Sequence, residues 1–392
     1  MPNRLIYVDN AATTWPKPEA VYRAVDAAMR EQGANPGRGS YRMSVDAQRI
    51  VDEARLEISR LFNAPASERV IFTLNCTDAL CIALHGLIEA GDRVVTGPFE
   101  HNSVIRPLHS LEGRGARVVV TRSTETLGLD LDHFRELCRD GVDYVVLSHV
   151  SNVMGSVSPI KEVSEITHER GGLLILDAAQ SAGGLEIDMK ALGIDVLAAP
   201  GHKGLYGPMG TGVLVLFAPL PMKPFREGGT GFKSESPTQP EEYPWRLEAG
   251  TLNLPGIAGL AAGVRFVRSV GLDAIAKHEA SLAGALADEL RKIDSVSVFC
   301  ERVPRTGVIS FRIDAVDVAL TGTMLDAAFG IAVRTGLHCA PNTHKAMGTF
   351  PDGTVRVSFG QFNTEGDVER LVAAVREVGD NPPRLHASSS TP

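Results

Sequence analysis

Two runs of the chain, Val145-Val146-Leu147 and Leu173-Leu174-Ile175-Leu176, are apolar at every position. A run with no polar alternate suits a strand buried on both faces of a sheet. Similar short runs recur at 69–74, 93–96, 117–121, 196–198 and 212–216, with helical segments between them. Strands that alternate with helices build a mostly parallel sheet covered on both sides. The chain is therefore expected to be α/β, with a large, mostly parallel, seven-stranded sheet domain. Helical spacing also marks 18–32, where Val21, Val25, Ala28 and Met29 recur and Gly33 stops the pattern, and about 44–62.

After about residue 220 the pattern changes. Gly228-Gly229-Thr230-Gly231 opens a polar stretch to Tyr243-Pro244-Trp245, which reads as a long loop or hairpin. Helices are then expected at 256–270, 272–292, 317–329 and 365–378, with strands at 296–299, 307–313 and 354–359. This is a smaller α+β domain. The end of the chain, 381–392, is rich in Pro and Ser and reads as a flexible tail.

Composition narrows the function classes. With 44% hydrophobic and 22% charged residues over 392 positions, the chain matches an ordinary globular protein of two to three domains. Its 39 basic against 47 acidic residues give −8, with no basic block, which argues against nonspecific nucleic-acid or acidic-lipid binding. The first residues lack an apolar signal region, and no uncharged stretch is long enough to span a bilayer. The five cysteines are widely spaced with no C-x-x-C, which favours reduced thiols and a cytoplasmic setting over disulfides or a zinc site.

Ligands of open α/β sheets sit at the carboxyl ends of the strands. Asp177 ends one buried run and could cap the next helix or face a cationic ligand nitrogen. Lys203 sits in Pro200-Gly201-His202-Lys203-Gly204 and could be a solvated turn lysine or a Schiff-base lysine. The pair fits pyridoxal 5'-phosphate (PLP), which needs a lysine for its aldehyde and an acid for its ring nitrogen. Asn75-Cys76-Thr77-Asp78 opens a helical segment whose N–H groups could hold a phosphate or simply be capped. His101 could be structural or could stack on a flat cofactor. Cys339, in the loop Arg334-Thr335-Gly336-Leu337-His338-Cys339-Ala340-Pro341, is unlike a core cysteine. Arg334 and Arg356 offer cations for a substrate carboxylate.

Taken in order, these motifs resemble the class V aminotransferase superfamily of fold-type I PLP enzymes. Within it the chain is similar to the cysteine desulfurases of the SufS-like and selenocysteine lyase group. The resemblance runs from Tyr7-Val8-Asp9-Asn10-Ala11-Ala12-Thr13 through Glu100-His101, Ser148-His149-Val150-Ser151-Asn152, Asp177-Ala178-Ala179-Gln180 and Gly201-His202-Lys203. It continues through Arg246-Leu247-Glu248-Ala249-Gly250-Thr251 to the Cys339 loop and the last helix. It implies a large PLP-binding domain over 16–262 and a small domain built from 1–15 and 263–380.

The resemblance also implies roles. Lys203 binds the PLP aldehyde and then removes the α-proton, Asp177 faces the ring nitrogen, Gln180 the ring oxygen, and His101 stacks on the ring and moves protons as a catalytic residue. Cys76, Thr77 and His202 hold the phosphate, and Thr251 reaches the phosphate in the neighbouring subunit of a homodimer. Asn152, with Arg356 and Arg334, takes the substrate carboxylate, and Cys339 accepts sulfur. L-cysteine becomes L-alanine, and a persulfide on Cys339 passes to an acceptor protein. Related readings are a selenocysteine lyase or other C–S lyase, and an aminotransferase or epimerase. A non-catalytic scaffold is the reading from another class, and the retained Lys203, Asp177, Gln180 and His101 argue against it. The chain departs from the family pattern at Pro200 and Cys76, where hydroxyl residues are common. It departs again in 228–245, which is shorter than the SufS-like hairpin, and directly after Cys339.

Overall fold

The computed structural model describes residues 5–37, 39–300, 305–314 and 316–381. The expected tail therefore lies almost wholly outside the described residues. The strands are β1 (Ile6–Tyr7), β2 (Val70–Thr73), β3 (Arg93–Thr96), β4 (Arg117–Val120), β5 (Tyr144–Ser148), β6 (Leu173–Asp177), β7 (Val196–Pro200) and β8 (Gly212–Leu216). Further along come β9 (Val296–Phe299), β10 (Val308–Ile313), β11 (Ile331–Ala332), β12 (Arg334–Gly336) and β13 (Thr354–Ser358).

Strands β2 to β8 form one seven-stranded sheet in the order β2-β8-β7-β6-β5-β3-β4. The pairs β3–β4, β3–β5, β5–β6 and β6–β7 are parallel, and only β8 runs against its neighbours. The continuously apolar runs lie at its centre, where Val145, Leu174, Ile175 and Leu176 are fully buried. Helices cover both faces. On one, Val51, Ala54 and Ile58 of the helix Arg42–Leu61 pack with Leu260 and Val264 of the helix Leu254–Val270. On the other, Leu80, Ala83 and Leu84 of the helix Cys76–Leu87 pack on Ile71, Ile175 and Leu214.

A second sheet, β12-β13-β10-β9, is antiparallel and has its own core of Leu286, Phe311, Val355, Val357, Leu371 and Val375. The start of the chain joins this body, with Ile6 pairing Ile331 in parallel β1–β11 and both Ile6 and Val8 in that core. The helix Glu365–Asp380 begins with a capping box, in which Thr364 and Asp367 each satisfy the other's backbone N–H. The stretch 228–245 carries no strand, so it is a loop and not a hairpin, closed by Phe232 stacked on Trp245 at 4.0 Å.

A buried ion pair fixes where that loop returns. Arg55 and Glu248 meet at 2.6 Å with both side chains almost fully buried. Glu248 also accepts the Phe72 N–H at 2.6 Å, and Arg55 donates to the Val70 carbonyl and lies over the Phe72 ring. The pair thus clamps the 246–251 segment to β2. Removing one partner leaves the other charge buried and alone, which costs about 3–5 kcal/mol. Glu248→Ala is expected to lower the urea midpoint of the apo chain by that equivalent, whereas an unchanged midpoint would show that Arg55 relaxes into water.

Candidate active site

The carboxyl ends of β2, β3, β5, β6 and β7 meet around one cleft. Ser148, Asp177 and Ala198 sit side by side at the ends of β5, β6 and β7. Lys203 follows β7, and its backbone turns back so that Gly207 N–H bonds the Gly201 carbonyl at 2.7 Å. Cys76 and Thr77 open the helix after β2. The turn there needs Gly212 on the neighbouring strand, because a Cβ at Gly212 would stand 2.6 Å from the Asn75 backbone carbon.

Of the twelve residues singled out in the sequence, eight line this cleft: Cys76, Thr77, His101, Asn152, Asp177, Gln180, His202 and Lys203. Asp177 is buried. Its Oδ1 accepts the Ala179 N–H at 2.9 Å and the Cys76 thiol at 3.4 Å, and its Oδ2 has no hydrogen-bond partner among the described residues. Burial pushes its carboxyl up, against the Ala179 N–H, Lys203 and the thiol. Burial pushes the Lys203 ammonium down; Arg356 and Arg334 add to this, while Cys76 and Asp177 oppose it. No hydrogen bond reaches its Nζ among the described residues. The Cys76 thiol is raised well above its ordinary value by burial and by Asp177, so it stays protonated. The Cys76 and Thr77 backbone N–H groups, at the start of a twelve-residue helix, have no partner among the described residues. The His202 Nδ1 is also buried and unpartnered. Gln180 donates to the Ala11 carbonyl at 3.1 Å.

The other four residues stand apart from the cleft floor. Arg356 is fully buried on β13, donating to Asp9 at 2.7 Å and to the Asn152 carbonyl at 3.1 Å, with Nε unpartnered. Asn152 in turn donates to the His338 carbonyl at 2.7 Å. Asn102, next to His101, donates its N–H to the Cys339 carbonyl at 2.8 Å. These bonds pin the Cys339 loop to the cleft's edge, while Cys339 itself is exposed. Arg334 Nη2 stands 3.8 Å from its sulfur. Both His338 and Cys339 have positive φ, 50° and 58°. Two consecutive non-glycine residues in that region are sterically costly and mark a tightly determined turn. Its base is the β12–β13 pair, where Gly353 packs so close that a Cβ would stand 2.0 Å from the Gly336 carbonyl. Thr251 does not line its own chain's cleft; it is exposed and touches Asn35 at 3.5 Å.

Sequence reading missed three contributors. Asp9 is the counter-ion of Arg356, Ser103 contacts both His101 and Thr77, and Glu100 braces the end of β5. Asp9 and Glu100 lay inside quoted motifs, but only the tertiary contacts give them partners. Glu100 is buried and accepts the Ser148 N–H at 2.9 Å and its hydroxyl at 2.6 Å. Burial pushes its carboxyl up to about 7, with Asp177 adding and the Ser148 and Gly97 donors opposing. The folded chain therefore keeps a proton that the unfolded chain releases near pH 4.5. Glu100's contribution to stability is present below that value and is lost as pH rises through 7, by at most about 1.4 kcal/mol per pH unit. Followed by urea unfolding from pH 5 to 8, the stability of wild type minus that of Glu100→Gln is expected to fall as pH rises; a constant difference would refute this.

Known proteins share this architecture. The profile of the aminotransferase class-V family matches residues 6–371. A probable cysteine desulfurase of Methanothermobacter thermautotrophicus is 35% identical over 95% of this chain and 94% of its own length. The apo structure of cysteine desulfurase from Thermococcus onnurineus superposes with a TM-score of 0.90 at 32% identity, covering 96% of this chain and 95% of that one. The cysteine desulfurase CsdA of Escherichia coli gives 0.86 at 29% identity, with 96% and 95% covered. The chain belongs to the class V aminotransferase family and, within it, to the cysteine desulfurases.

Proposed function

We propose that this enzyme converts L-cysteine to L-alanine, with PLP held in the Lys203 cleft and the sulfur carried off as a persulfide on Cys339. The observation that carries the reading is the convergence of a buried carboxylate, a lysine with no hydrogen bond at Nζ and an unpartnered helix N-terminus in one cleft. PLP needs all three.

The residues present fit that group. The free Asp177 Oδ2 can accept from a protonated ring nitrogen. The unpartnered N–H groups of Cys76 and Thr77, with the orphaned His202 Nδ1, suit a phosphate. The thiol of Cys76 is directed at Asp177, so its share in phosphate binding is its backbone N–H. His101 and Gln180 line the same cleft, where an imidazole can cover a ring face and an amide can reach the ring oxygen. When bound, PLP supplies an electrophilic carbon for the substrate amine and an electron sink for the pair left at Cα.

The chain's own groups do the rest. Lys203, its basicity lowered by burial, is neutral often enough to take the α-proton. Arg356, with Asn152, orients the substrate carboxylate, and Arg334 lies on the same side near Cys339. The Cys339 thiolate attacks the substrate sulfur. An S–S bond forms and the C–S bond breaks. The C–S pair stays with the substrate's β-carbon, which becomes the methyl of alanine once protonated. Because Cys339 is exposed, a second thiol on an acceptor protein can reach the persulfide.

A homodimer is part of this reading. Thr251 is exposed and remote from its own cleft, so a partner copy is what would bring such a residue to a phosphate. The five unpaired cysteines suit a reducing cytoplasm, and no helix among the described residues is long and apolar enough to cross a membrane. The test is incubation of the PLP-loaded protein with L-cysteine and, separately, L-selenocysteine. Alanine and protein-bound persulfide in equal first-turnover amounts support the reading. Pyruvate or a keto acid in place of alanine would replace it with elimination or amino-transfer chemistry, and alanine from selenocysteine alone with a selenocysteine lyase.

A further inference from the structure

His101 caps the helix Asn102–Glu112, and its Nδ1 accepts the Ser103 backbone N–H at 3.0 Å. The Ser103 hydroxyl lies 2.7 Å from the same nitrogen and 2.9 Å from Thr77 Oγ1. Ser103 is buried. A backbone amide can only donate, so Nδ1 is the unprotonated nitrogen of a neutral ring and the hydrogen sits on Nε2. With Nδ1 an acceptor, the Ser103 hydroxyl donates to it, and Thr77 donates to Ser103. His101 Nε2 has no partner among the described residues, and the ring lines the Lys203 cleft.

We propose that Ser103 is a positioning residue: it fixes the tautomer of His101, so that Nε2 carries the hydrogen, and it ties that tautomer through Thr77 to the turn at Cys76 and Thr77 where an anion would bind. The use of that hydrogen in turnover rests on the desulfurase reading. The tautomer itself does not.

Two consequences follow from the chemistry. A protonated His101 would carry a hydrogen on Nδ1, would lose the bond from the Ser103 amide, and would force the Ser103 hydroxyl to turn from donor to acceptor. Burial already holds the ring down to about 4, and the charged groups around it act in the same direction: Lys203 after β7, Arg334 on β12, Arg356 on β13 and Arg106 on its own helix. An anion at the Cys76–Thr77 turn would draw the Thr77 hydroxyl hydrogen away from Ser103. The Ser103 bond to Nδ1 then loses the polarisation that Thr77 supplied and weakens. Coupling of this kind is reciprocal, so the state of His101 also affects anion affinity.

The test uses the full-length apo chain labelled with ¹⁵N-histidine, with inorganic phosphate as the anion probe and no cysteine. Two-bond ¹H–¹⁵N spectra report the tautomer and titration of His101. Wild type should show the Nε2–H tautomer at neutral pH. Ser103→Ala keeps the backbone N–H and loses the hydroxyl, so its titration should move up by roughly half to one pH unit, the equivalent of one hydrogen bond. Ser103→Thr should restore it. Phosphate should shift the wild-type titration more than that of Ser103→Ala. A hydrogen on Nδ1 in wild type, or coincident titrations of wild type and Ser103→Ala, would overturn the proposal. An equal phosphate response in both would overturn the link through Thr77. None of these outcomes depends on turnover, so a failed desulfurase assay leaves them readable.

Discussion

On the proposed reading, Cys339→Ala is expected to abolish alanine and persulfide formation from L-cysteine together, by about 10³-fold or more, as loss of a catalytic nucleophile would. The reason is stoichiometric. Without a thiolate to take the substrate sulfur, the C–S bond has no acceptor. The substitution should leave the fold intact, because Cys339 is exposed and alanine meets the same positive φ that cysteine does. Cofactor absorbance and urea midpoint should therefore match wild type while turnover vanishes. Cys339→Ser should behave likewise, because an unactivated hydroxyl is a far poorer nucleophile. Alanine formed at the wild-type rate by either variant would remove Cys339 from the chemistry.

Lys203→Ala is expected to have a comparable effect through a different step. Among the described residues it removes the lysine amine lining the cleft, which the proposed reading uses to take the α-proton, a loss of about 10²–10⁴-fold for a general base. It also removes the covalent hold on the cofactor. The visible absorbance of a lysine-linked cofactor should be lost, and added methylamine should restore part of the turnover by standing in for the side chain. The fold should tolerate the change, since Lys203 makes no hydrogen bond through Nζ among the described residues. Retained absorbance and turnover would place the linking amine elsewhere.

Legibility in the sequence followed the range of the interaction. β3, β5, β6 and β8 were readable to the residue because each is a short Val- or Leu-rich apolar run bounded by turns. The core placement of β5 and β6 was readable because nothing in them tolerates water. β1, β11 and β12 were not readable. They are two or three residues long, and β1 exists only because Ile6 finds Ile331 across the chain. Sequence reading took 334–341 as a loop throughout, yet Arg334–Gly336 pairs with β13 and Pro341–Ala346 is helical. The cleft was legible in its chemical types, because lysine, aspartate and a helix start after successive strands point to one sheet edge. Asp9, Ser103 and the Arg55–Glu248 clamp were not legible in that way. Arginine pairing with an acid hundreds of positions away leaves no local pattern.

The sequence by itself determined the longer strands and helices, that the large sheet is mostly parallel, and which residue types stand at its carboxyl edge. Hydrophobic periodicity acts over a few residues and is written into composition and spacing. Only the tertiary structure decided which of those residues have partners. It gave Asp177 one filled and one open oxygen, left Lys203 Nζ without a hydrogen bond, and set Cys339 on a strained turn held by Asn102 and Asn152. Hydrogen bonding and burial depend on which distant segments meet. Reactivity depends on those two quantities, and no window of the sequence contains them.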